Sequence, residues 1–137
     1  MDQFKISEAT ICKHFGACLK VAHQYHVLPD SFVYAHVDNG QRSGDQLGRI
    51  ITGKKAKAMG VNKGFPDYVF SWGWEDGRND HGFIEFKTTR GNLSAEQIQF
   101  RASCERVGIK YGLARSVKDG VQFLQKWGVI KPTFHVF

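Results

Sequence analysis

Residues 83–88 read Phe-Ile-Glu-Phe-Lys-Thr. Phe83, Ile84 and Phe86 suit the middle of a buried strand, whereas Glu85 and Lys87 do not. Alternate side chains of a strand point to opposite faces. Glu85 and Lys87 therefore share one face, and Ile84 and Phe86 the other. Two polar groups in step form a patch, and burying that patch is tolerable only if the charges are paired, hydrogen-bonded or bound to something. Any fold containing this strand has to supply those partners from neighbouring elements.

The neighbours are legible from periodicity. Ile11, Phe15, Leu19 and Ala22 recur at helical spacing, which predicts a helix over 7–27 with Ser7 as its N-cap. Strands are expected at 32–37 (FVYAHV), 66–70 (PDYVF) and 83–88, with Asp76-Gly77 marking a turn between the last two. Ser94 opens a second helix, 95–107, which Gly108 ends. A strand follows at 109–116. Ser116 then caps a last helix through Trp127, with Val117, Val121, Leu124 and Trp127 as its stripe. The tail Val129–Phe137 reads as a final strand or an interface segment. The order α-β-β-β-α-β-α predicts one α/β domain over 1–137, with a central sheet flanked by helices and a basic, glycine-rich insert at about 38–63.

Composition limits what this domain does. Hydrophobic residues make up 42% of 137, which is globular rather than disordered. No run of 18 apolar residues occurs, so no membrane helix is expected. Three cysteines form no CxxC, and MDQFKISEAT has no secretory pattern; an intracellular, cytoplasmic protein is expected, a bacterial or phage-infected cell being compatible. The net charge is +6, and the excess is concentrated: Arg42, Arg49, Lys54, Lys55, Lys57 and Lys63 face one acid, Asp45, between positions 42 and 63. Such a block reads as a contact to phosphates or as a solubilising surface.

Several polar residues converge with Glu85 and Lys87. Asp67 begins the preceding strand. Two carboxylates about 5 Å apart repel by roughly 3 kcal/mol at an effective dielectric near 20, so Lys87 or a divalent cation is needed beside them. Two carboxylates leave most of a magnesium shell to water and phosphate oxygens, as that ion prefers. Glu8 heads the buried stripe of the first helix. In the second helix the inward stripe is Leu93, Gln97, Phe100, Cys104 and Val107, so Gln97 also points inward. Structural readings stand beside these: a Glu85–Lys87 salt bridge, Glu8 at a helix N-terminus, Gln97 in a capping box with Ser94, and Asp67 as a turn residue.

The segments GFPDYVF and FIEFKTTRGNLSAEQIQF together resemble the PD-(D/E)xK nuclease superfamily, and more narrowly the VRR-NUC group of virus-type replication and repair nucleases. The shared pattern is G-x-P-D, then E-x-K, then G-x-L-S-x-x-Q. The resemblance implies a restriction-endonuclease-like core in which Asp67 and Glu85 bind Mg2+ or Mn2+, joined by Glu8 and the main-chain carbonyl of Phe86. Lys87 would be catalytic, with Gln97 supporting the site. It implies a divalent-metal-dependent, structure-specific DNA endonuclease, in which activated water displaces an alkoxide in line at phosphorus. Branched DNA is the expected partner, a four-way (Holliday) junction resolvase one form of the activity, and a homodimer joined through the tail and the exposed side of the last helix the expected assembly. Arg90 and the 42–63 cations would contact DNA. A non-catalytic nucleic-acid-binding module of the same fold and a restriction-type, sequence-specific nuclease are the alternatives.

Four further expectations follow. A two-residue turn at Asp76-Gly77 pairs residues whose numbers sum to 153, turning Asp67 away from Glu85. A shared site needs an even sum, hence an odd-length turn or bulge between 71 and 82, unless Asp67 lies just outside the ladder. GRIITGKK (48–55) falls short of a P-loop because Lys55 stands where Ser or Thr would meet magnesium, so no nucleotide cofactor is expected. A zinc site is not read, since Cys12 and His23 are about 16 Å apart along one helix. Trp72 and Trp74 are read as covering the sheet rather than stacking on bases.

Overall fold

The computed structural model describes residues 6–37 and 64–136. Helix α1 spans Glu8–Gln24, capped by the Ser7 side chain, which accepts from the Thr10 N–H. Ile11, Phe15, Leu19 and Ala22 are all buried, as their spacing requires. The helix ends three residues before the expected 27 because Tyr25 caps it and His26 turns left-handed at φ 57°. Pro29 then prevents any return to helix.

Four strands follow the expected order: β1 (Val33–His36), β2 (Tyr68–Gly73), β3 (Asn79–Phe86) and, after helix α2 (Ala95–Val107), β4 (Lys110–Ala114). Helix α3 covers Val117–Lys126. The sheet order is β1-β2-β3-β4, antiparallel for the first three strands and parallel between β3 and β4. This is an α/β fold with a mixed four-stranded sheet flanked by helices. No described helix is long and apolar enough to cross a membrane.

The β2–β3 register decides which residues share a face. Tyr68 pairs with Ile84 and Gly73 with Asn79, a constant sum of 152. The connection Trp74–Arg78 has an odd number of residues. It is closed by the Trp74 N–H on the Arg78 carbonyl (2.7 Å) and turned by Gly77 at φ 88°. The expected odd-length turn is present, and Asp67, one residue before β2, comes opposite Glu85.

The two faces of the sheet differ. Tyr68, Phe70, Trp72, Ile84, Phe86 and Ala114 join Phe15, Leu19, Val121 and Leu124 in one buried cluster under α1 and α3. Each fully buried side chain of this size stabilises by about 1.5–3 kcal/mol, so this face carries most of the core. Trp72 stacks on Trp127 (6.3 Å, 10°) and Trp74 packs beside Gly128, so both tryptophans cover the fold as expected. The other face, under α2, is thinner: Phe83, Phe100 and Phe65 meet edge to face. Helix α2 keeps its expected bounds, and Gly108 ends it at φ 77°. Its expected inward stripe narrows, because Val107 is 66% exposed; the chain leaves for β4 in that turn, with the Ile109 N–H on the Cys104 carbonyl.

The described tail forms no strand. Val129 and Ile130 are buried, and Phe134 and Val136 pack against the same core. The Lys131 N–H donates to the Val27 carbonyl, and Gln125 Nε2 donates to the Phe134 carbonyl at 2.8 Å. The described tail packs on the monomer's own core without joining the sheet, which corrects the reading of the tail as a strand. Phe137 lies outside the described residues.

Candidate functional site

Glu85 is 3% exposed. Its two oxygens are held separately: Oε1 accepts from Gln97 Nε2 (2.9 Å) and Oε2 from the Asp67 main-chain N–H (3.2 Å). Asp67 answers through Oδ2, which accepts from the Phe86 N–H at 2.7 Å. Each carboxylate thus takes the backbone donor beside the other, where the β2–β3 ladder runs out of carbonyl partners. The pairing needs both groups at one end of the hairpin, which the 152 register provides.

Gln97 fulfils two expectations with one side chain. Its Oε1 accepts from the Ser94 N–H (2.8 Å), closing the capping box, while its Nε2 reaches Glu85. The first turn of α2 is therefore fastened to the site. Glu8, half-buried at the start of α1, brings Oε1 to 3.4 Å from where a Cβ on Gly91 would stand, beside Lys87 Cβ at 3.5 Å. The 88–91 turn is clamped from the residue after β4: Arg115 Nη1 donates to the carbonyls of Thr88 and Gly91, both at 2.7 Å. Arg90 is exposed on that turn.

Lys87 Nζ lies 3.9 Å from Glu85 Oε1, with 13% of its side chain exposed. Unit charges about 4 Å apart interact by roughly 4 kcal/mol at an effective dielectric near 20. One ammonium therefore offsets one carboxylate, while Glu8, Asp67 and Glu85 are three. Burial adds to the imbalance. Burial, then the Asp67 charge, lifts the Glu85 carboxyl to about 8, against the opposing pull of Lys87 and the Asp67 N–H. Burial also raises Asp67, although the Phe86 N–H, His36 and Lys87 pull it down. Among the described residues the carboxyls outnumber the ammonium, and burial with mutual repulsion favours the protonated form of Glu85. A strand residue directs its N–H and C=O to the same flank, so the Phe86 carbonyl points to the Asp67 side.

Two residues at the site went unread in the sequence. Cys12, one helical turn after Glu8, and His36, at the end of β1, bring a sulfur and an imidazole nitrogen to Asp67; one donor atom from each residue lies within 4.8 Å of the others. Cys12 was weighed against His23 on its own helix, whereas its actual neighbour comes from β1. That neighbour depends on the register His36↔Tyr68 and on the Val37 N–H bonding the Asp67 carbonyl (2.7 Å), which no local pattern encodes. Burial, then the Asp67, Glu85 and Glu8 charges, pushes the Cys12 thiol up to about 12.

Of the expected site residues, Asp67, Glu85, Phe86, Lys87, Gln97 and Glu8 are gathered at one end of the sheet. Arg42, Arg49, Lys54, Lys55, Lys57, Lys63 and the near-P-loop 48–55 lie outside the described residues. No protein-family model, curated protein or solved structure matches the chain.

Proposed function

We propose that the chain is a divalent-cation-dependent endonuclease acting on branched DNA, with a restriction-endonuclease-like core of the VRR-NUC type. The observation that carries the reading is the buried Glu85 beside Asp67 and Lys87, held by Gln97. A structural salt bridge would bring Lys87 into contact with its carboxylate; here the separation is 3.9 Å and Glu85 is left to main-chain and amide donors.

The donor set fits a hard cation. Asp67 and Glu85 with the Phe86 carbonyl would hold Mg2+ or Mn2+, and Glu8 lies close enough to add a carboxylate through water. Such an ion, when bound, supplies positive charge to a phosphate oxygen and makes a nearby water easier to deprotonate. The remaining chemistry belongs to the side chains. Lys87, partly open to solvent, holds a non-bridging phosphate oxygen and orients the attacking water. Gln97 fixes the Glu85 rotamer. Arg115 keeps the 88–91 turn against the site. Helices α1 and α2 both begin here, and their N-terminal N–H groups favour a phosphate. The 42–63 cations and Arg90 then hold the DNA backbone. A two-fold dimer presents two such sites to a four-way junction.

Duplex, flap, fork, splayed and four-way junction substrates, each with Mg2+, Mn2+ or chelator, test the reading. Metal-dependent scission of a branched substrate, with plain duplex cut at least tenfold more slowly, is expected. Metal-independent binding without scission of any substrate would leave a nucleic-acid-binding module instead. Sedimentation with and without the junction checks the dimer.

A further inference from the structure

We propose a second cation site, formed by Cys12, His36 and Asp67, that selects a zinc-class ion rather than magnesium. The three residues come from three separate elements: α1, the end of β1 and the residue preceding β2. A sulfur, an imidazole nitrogen and a carboxylate oxygen lie mutually within 4.8 Å. Tetrahedral zinc binds such donors at about 2.0–2.3 Å, which separates them by roughly 3.5 Å. Closing the set therefore takes shifts of about an ångström, and His36, exposed at a strand end, has room to move.

Tyr68 holds the three together. Its hydroxyl donates to the Cys12 carbonyl (3.0 Å), and its ring meets the His36 ring edge-on at 5.2 Å. The Val37 N–H ties the end of β1 to the Asp67 carbonyl. The convergence is thus built into the packing of α1 on β1 and β2.

Ligand chemistry sets the selectivity. Magnesium takes oxygen donors and keeps its waters, whereas sulfur and imidazole suit zinc and its neighbours in the transition series. Three protein ligands leave a fourth position for water or substrate, the arrangement of open zinc centres. Asp67 belongs to both sets: its Oδ2 accepts from the Phe86 N–H beside Glu85, and one of its carboxylate oxygens lies within 4.8 Å of the Cys12 and His36 donor atoms. The second site stands whether or not the chain cleaves DNA.

Cobalt reports on it directly, because a cobalt–thiolate bond gives a near-ultraviolet charge-transfer band. The purified full chain, kept reduced and free of DNA and magnesium, is titrated with Co2+ and then with Zn2+. One Co2+ per chain with a thiolate band, displaced by Zn2+, is expected. Cys12→Ser should abolish the band, and His36→Gln should weaken Co2+ binding at least tenfold. Cys18→Ser, Cys104→Ser, Glu85→Gln and Lys87→Ala should retain it. Circular dichroism reports folding of each variant, and the exposed His36 gives a variant that leaves the core untouched should Cys12→Ser unfold. Absence of a thiolate band in the wild type, its loss in Cys104→Ser or its survival in Cys12→Ser would overturn the proposal.

Discussion

Strand β3 carries a carboxylate near each end, and each has a lysine in reach. Asp80, near the start, meets Lys110 Nζ at 2.7 Å with both side chains about 30% exposed. Glu85, near the end, is buried and meets Lys87 only at 3.9 Å. Burial raises Asp80, but the Lys110 hydrogen bond, the His81 N–H and the Lys110 charge outweigh it and hold the carboxyl below its usual range. At Glu85 burial and the Asp67 charge win. Among the described residues the same chemical pair is in contact at the rim and apart inside. A fold selected only for stability would reverse the two, since unpaired buried charge is costly and exposed pairs contribute little. The Glu85 end thus keeps a buried carboxylate at an electrostatic cost that the rim pair does not carry.

The largest test of this contrast is catalytic. Asp67→Ala, Glu85→Ala and Lys87→Ala should each lower scission of a branched substrate by about 10²-fold or more, the usual cost of losing a charge-stabilising group. Asp80→Ala and Lys110→Ala should stay within about threefold. Glu85→Ala within tenfold of wild type would erase the functional distinction between the ends.

Next comes pH. A carboxyl raised in the folded state favours the protonated form. The stability this gives is complete below the ordinary value of 4.5 and is lost as pH climbs through about 8. Cation-free protein should therefore be less stable to urea at pH 8 than at pH 5, by roughly 1–3 kcal/mol, less than the full ~1.4 kcal/mol per pKa unit because relaxation and water entry screen the site. Asp67 acts in the same direction. Asp80 has the opposite sign: its contribution is present above its ordinary 3.8 and disappears as pH falls below that. Glu85→Gln should flatten the alkaline loss, and added Mn2+ should reverse it in the wild type. An alkaline loss that persists undiminished in Glu85→Gln would assign it to other groups.

Smaller effects separate capping from site support. Ser94→Ala should cost about 1 kcal/mol of stability and leave scission unchanged. Gln97→Ala should cost a similar amount and also lower scission, because Glu85 Oε1 loses its donor. Equal activity in the two variants would reduce Gln97 to a helix cap. Smallest is the rim: a double-mutant cycle on Asp80 and Lys110 should return a coupling of about 1 kcal/mol or less. A larger value would mean that this end also stores electrostatic energy.

The parts read most directly from the sequence are those set by local periodicity. The stripe Ile11–Phe15–Leu19–Ala22, the bounds of α2 and the stop at Gly108 need only neighbouring residues. Glu85, Lys87 and Asp67 were legible too, because a charge in an apolar strand is conspicuous and because the shared face demanded an odd-length turn. Gln97 had two competing readings, and the side chain serves both. His36 and Cys12 were not legible: they meet only through the β1–β2 register and the packing of α1. The tail's apolar run named its burial but not its partner, which proved to be the protein's own core through Val27 and Gln125.

The odd-length turn between Gly73 and Asn79 has a consequence for how such a chain can change over generations. One residue gained or lost at 74–78 is harmless only if the turn absorbs it and Tyr68 stays opposite Ile84. If the ladder slips by one residue instead, Asp67 leaves the Glu85 side, and Tyr68, Phe70 and Trp72 leave the face of Ile84 and Phe86 with it. Site and core are thus locked to one register, and a slip that dismantles the one dismantles the other.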